Sequence, residues 1–136
     1  ELGRIPEVTL YGDNDDFRDR VGIIVFTVRD IDNETVSRML AHYSAIAVRQ
    51  AAFCAHPYVR RLTNVPVEYD EQGKPLHPKG LVRVSFGIYN TEKDIEYLAD
   101  TVQSVIKQIR NTDAGTLFSS PKNMAIHAHK LPRDRG

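Results

Sequence analysis

Ile95, Leu98, Ala99, Val102, Val105, Ile106 and Ile109 recur at helical spacing and keep one apolar face over four turns. A helix striped this way is stable only when the stripe is buried, so the chain must supply a second apolar layer for it to lie on. The spacing predicts a helix over residues 92–109. Its start is marked by Thr91 and Asp94, which stand in capping-box spacing ahead of the apolar run.

The second layer is written in β-prone segments. Residues 21–28 are β-branched and apolar on both parities, the pattern of a strand enclosed on both faces. Residues 81–86 alternate, with Val82, Val84 and Phe86 on one face and Arg83 and Ser85 on the other. Residues 45–48 are read as a third strand, and Val8 to Tyr11 as a further short one. A second helix is expected over 34–43, because Val36, Met39, Leu40 and Tyr43 share a face and residues 30–33 offer N-caps. Pro57 suits the first turn of a short helix over 58–62. Cys54 is placed on the loop before it, and residues 63–80, with three prolines and two glycines, read as a loop. The expected fold class is α+β, a small, mainly antiparallel sheet packed against helices.

Composition narrows the function. The 136 residues carry 18 basic and 18 acidic side chains, so no global field exists to attract nucleic acid or an anionic membrane. The longest apolar run is far below the ~18 residues of a membrane span. One cysteine excludes an internal disulfide and fits a reducing, cytoplasmic setting. The start at Glu1 carries neither an initiator Met nor a signal peptide and is read as the edge of a segment cut from something longer. Residues 111–136 lose periodicity and are read as a weakly basic, flexible tail.

Few side-chain patterns carry chemistry. Cys54 lies near Arg49 and His56, either of which can stabilise a thiolate; equally, a lone cysteine serves as a small buried hydrophobe. Arg83 can hold a carboxylate through a bidentate pair, or make a surface salt bridge. His127 and His129, like Cys54 and His56, lack the second pair of ligands that a closed zinc site needs, so no metal is expected. Phosphate-cradling glycine loops and the Gly-x-Ser-x-Gly elbow are missing from the sequence.

Three segments in order, Ala47 to Pro57, Val82 to Phe86, and Tyr89 to Glu92 leading into the long helix, resemble one family. The chain resembles the C-terminal small domain of a class V aminotransferase-fold enzyme, the pyridoxal-phosphate group that includes cysteine desulfurases and selenocysteine lyases. The resemblance covers residues from about 5 to 110, so residues 1–110 are expected to form that domain and 111–136 a tail.

It implies the C-terminal-domain fold of fold-type I pyridoxal-phosphate enzymes, an amino-acid substrate, a homodimer, and a larger domain holding the cofactor on a lysine. It gives Arg83 the substrate α-carboxylate and Cys54 the role of a nucleophile that becomes a persulfide, with Arg49 and His56 in support. None of the six lysines matches the cofactor position, so no cofactor is expected on this chain alone. An exposed apolar patch or self-association is expected where the larger domain would lie. Two features depart from the desulfurase pattern: Ala51 stands where glycine is usual, and 28 residues separate Cys54 from Arg83. The alternative is a free-standing α+β ligand-binding or regulatory module that shares only the fold.

Overall fold

A computed structural model describes residues 1–12, 21–64, 66, 68–73 and 80–111. The loop over 63–80 lies partly outside these residues, and His127, His129 and all of the tail beyond Asn111 lie wholly outside them. After one 3-10 turn at Leu2–Arg4, the elements are β1 (Val8–Tyr11), β2 (Ile23–Val28), α1 (Asn33–Ser44), β3 (Arg49–Ala51), α2 (His56–Thr63), β4 (Leu81–Ser85) and α3 (Glu92–Asn111). The four strands form one sheet in the order β1-β2-β4-β3, with every neighbouring pair antiparallel. The fold is α+β, as the periodicities imply.

Register explains which residues are buried. Leu10 faces Phe26, Phe26 faces Val82, and Ile24 faces Val84, so the even-numbered residues of three strands make one continuous apolar surface. Against it lie Val36, Met39 and Leu40 of α1 and Leu98, Ala99, Val102, Val105 and Ile106 of α3. Phe26, Met39, Leu40 and Val102 are completely buried. Ile95, at the start of the α3 stripe, is left partly exposed.

Both long helices begin at side-chain caps. Asp32 accepts the backbone N–H of Thr35 at 2.8 Å and also its hydroxyl, which closes the first turn of α1. Asp94 accepts the backbone N–H of Thr91 at 2.7 Å, the backward half of the capping box seen in the sequence. Val21 stays exposed at an apolar groove of about 510 Å³ lined in part by Leu2, Leu10, Ile24 and Phe86, and Ile88 and Tyr89 are exposed as well.

The third strand is displaced from its expected place. Residues 45–48 are not a strand, because Ala45 closes α1 with a left-handed backbone (φ 53°) and Ile46 N–H returns to Leu40 O at 3.1 Å. Those bonds spend the chain on ending a helix, and pairing with β4 begins only at Arg49. Strand β4 stops at Ser85, one residue short of the expected end, while Phe86 N–H still bonds Gly22 O at 2.6 Å. Helix α2 takes in His56 and Pro57, so it starts two residues earlier than the pattern implied.

Replacing Phe26 by Ala empties the centre of the sheet's buried face and is expected to cost about 3–5 kcal/mol, read from urea denaturation. A loss under half of that would place Phe26 outside the core. Asp32 gives a pH signature. Burial pushes its carboxyl up, but hydrogen bonds from the Thr35 hydroxyl and from backbone N–H groups outweigh that and hold it below its ordinary value of 3.8. With the folded-state value depressed, the cap's contribution is complete above 3.8 and is lost as pH falls through the lower, folded value. Asp32→Ala is thus expected to cost about 1 kcal/mol at neutral pH. Thermal melts should show that difference shrinking in acid; a gap that persists unchanged below the folded value would refute the assignment.

Candidate functional site

The odd-numbered residues of the strands face away from the long helices, and α2 covers only part of that surface. Ala52, Val59 and Leu81 form a small second cluster there, with Tyr11, Val25, Phe53 and Leu62 packed around it. Arg83 therefore does not stand on a wholly polar face. It is half-buried, its guanidinium carbon lies 5.3 Å from the centre of the Phe53 ring, and its Nε is buried with no hydrogen-bond partner among the described residues. Its surface salt bridge, one of the two roles open from sequence, is not formed with any described residue.

Arg49 is the register partner of Arg83, so two guanidinium-bearing residues sit directly opposite one another on the same face. Like charges so placed repel, by roughly 0.2–1 kcal/mol, and that repulsion falls when an anion lies between them. Val25 continues the row on β2. Arg60 of α2 likewise has a buried, unpartnered Nε.

Cys54 is exposed, which removes the reading of a buried hydrophobe. It sits in a turn that its own sequence does not advertise. Ala55 N–H bonds Ala52 O at 2.7 Å, and the two central residues, Phe53 and Cys54, both have positive φ (52° and 64°). Positive φ at both centres is the arrangement of a type I′ turn, where Asn-Gly is the favoured pair and Phe-Cys is costly. The turn lifts the thiol into solvent while its Phe53 ring lies against Arg83. His56 opens α2 two residues later and is half-buried. The structure thus brings Arg83, Arg49 and the Cys54 turn to adjoining places on the open face.

Sequence reasoning missed Phe53, Arg60 and the polar link through Asn33. Asn33 Oδ1 accepts the backbone N–H of Gly80 at 2.8 Å, and its amide nitrogen donates to Gln50 Oε1. Asn33 showed only as one of several N-cap candidates, and Gly80 only as a loop breaker, since their partners lie far along the chain. Among the described residues no group of three or more His, Cys, Asp or Glu side chains could hold a metal. No described helix is long and apolar enough to cross a membrane.

The family model of aminotransferase class-V matches residues 1–98, so the chain belongs to that family. Two curated relatives are named probable cysteine desulfurases. One, from Synechocystis sp., is 29% identical over 112 residues, 82% of this chain and 23% of its own length. The other, from Methanothermobacter thermautotrophicus, is 28% identical over 105 residues, 76% of this chain and 22% of its own length. The chain therefore spans less than a quarter of the relatives it matches.

Ala51 has φ 97°, a backbone that glycine adopts freely and alanine does not. Relief of that strain exceeds the added chain entropy of glycine, so Ala51→Gly is expected to stabilise the chain by about 1 kcal/mol. Urea denaturation checks it, and a destabilised variant would refute the strained geometry.

Proposed function

Taking membership of the aminotransferase class-V family as the premise, we propose that residues 1–110 are the C-terminal, substrate-binding small domain of a pyridoxal-phosphate enzyme acting on an amino acid, with a cysteine desulfurase-like reaction. The single observation that carries this reading is Arg83, half-buried with an unsatisfied Nε and a second guanidinium on its register partner. Such a group is ready for a carboxylate, because its guanidinium has no ion-pair partner among the described residues and a bound anion lowers its repulsion with Arg49.

The described residues do not fit the cofactor itself. Lys93 and Lys107 both lie on α3, which packs on the other side of the sheet, and no described lysine stands on the Arg83 face. In this proposal the cofactor belongs to the remainder of a longer polypeptide, and this chain supplies the substrate side.

Two roles follow. The Arg83 guanidinium pairs with the α-carboxylate and fixes how the amino acid lies, while Phe53 against it limits where the fork can turn. The Cys54 thiolate, exposed at the tip of its turn, attacks the substrate sulfur. A sulfur–sulfur bond forms, the substrate carbon–sulfur bond breaks with its electron pair left on carbon, and Cys54 carries the persulfide. The names of the two relatives and the exposure of Cys54 support this assignment.

In the longer polypeptide that holds the cofactor, Arg83→Lys keeps the charge and loses the planar fork, so substrate KM should rise roughly tenfold or more while the cofactor's absorbance is unchanged. Cys54→Ser should abolish sulfide release from L-cysteine. Undiminished sulfide from that variant of the longer, cofactor-loaded polypeptide would remove the persulfide role, and no sulfide from its unaltered form would move the reaction to another branch of the family.

A further inference from the structure

The turn that carries Cys54 is held at its base by a third element. Strand β3 is only three residues long and pairs with β4 alone, at the edge of the sheet. Its last residue, Ala51, and the residue leading into β4, Gly80, approach so closely that a Cβ on Gly80 would lie 2.3 Å from Ala51 Cα and 2.5 Å from Ala51 O. Asn33, the first residue of α1, binds both strands at that place: its carbonyl oxygen takes the Gly80 N–H and its amide nitrogen goes to Gln50. Ala51, Phe53 and Cys54 follow directly with positive φ, conformations that persist only where surrounding structure enforces them.

We infer that Asn33 is a positioning residue for Cys54: its side-chain amide locks the end of β3 to the start of β4 and thereby holds the strained turn, with Phe53 against Arg83, in the geometry that presents the thiol beside the two guanidinium groups. The inference rests on Arg83 being an anion anchor. Without the lock, three ladder pairs on an edge strand are left to hold three unfavourable backbone conformations, and the turn relaxes away from Arg83. Gly80 belongs to the same device, since any side chain there forces the strands apart.

The test uses Cys54, the chain's single cysteine, as its own reporter. Its alkylation rate is measured with iodoacetate and with neutral iodoacetamide; in both, the thiolate displaces iodide. The ratio of the two rates reads the cationic surroundings of the thiol, whereas loosening of structure alone speeds both reagents together. In the folded chain this ratio should exceed that of the same chain in urea by roughly threefold, the scale of an exposed charge interaction. Asn33→Ala, Gln50→Ala and Gly80→Ala should bring it down to the urea value while the thermal melt stays cooperative. Asn33→Asp should preserve it, because a carboxylate accepts from Gly80 and from a flipped Gln50 amide. Should Asn33→Ala fail to melt cooperatively, Gln50→Ala, which removes one bond, decides.

If Arg83→Gln abolishes the preference but Asn33→Ala and Gln50→Ala retain it, the positioning role is overturned and the anion anchor stands. A folded-chain ratio equal to the urea value overturns the anion anchor and Asn33's role with it.

Discussion

Strand β4 is the element on which both sides of the molecule depend. Between β2 and β3 in the sheet, it sends Val82 and Val84 into the helical core and Leu81 and Arg83 to the open face. Alternation makes these two roles inseparable: a one-residue slip in its pairing would put a guanidinium among Phe26, Met39 and Val102 and leave two valines in water. The cost of burying that charge is large enough to fix the register. Arg83 is therefore located by the same hydrophobic pattern that locates the core.

That arrangement also explains why the open face tolerates unfavourable features. Two arginines stand opposite each other, a guanidinium Nε is left unpaired, and three non-glycine residues in four take positive φ. Each works against folding, and strained backbone of this kind gathers where geometry is needed for something other than stability. The opposing guanidinium groups have one remedy, an anion on this face. Phe53 serves both sides of the balance, since its ring lies against Arg83 while its own backbone bears part of the strain.

Much of the fold was legible from residue spacing because its signals are local. The stripe from Leu98 to Ile106 and the alternation from Leu81 to Ser85 each state their partner-facing side within one element. The third strand was not legible. Ile46 and Val48 look like strand residues, yet they are half-buried apolar contacts on the way out of a helix cap, and pairing starts at Arg49-Gln50-Ala51, which carries no β signal. Arg83 and Cys54 could be singled out by residue type and by resemblance. The turn at Phe53-Cys54 could not, since turn chemistry predicts Asn and Gly there. Nor could the Asn33 link, whose two partners are 17 and 47 residues away.

The uneven distribution of burial indicates where stability resides. Among the described residues, the buried apolar cluster on the helical side of the sheet has fourteen members and that on the open side three. Strain of about 1–3 kcal/mol at each unusual backbone position is comparable with the whole stability of an ordinary domain when three such positions are added. The small cluster, with two large apolar side chains at about 1.5–3 kcal/mol each, does no more than balance that strain and leaves no surplus. The turn is therefore sustained by the core on the far side, through the strands that both faces share. Mechanical continuity across β3 and β4 is the physical requirement, and the hydrogen bonds of Asn33 cross it at the place where β3 gives way to the turn.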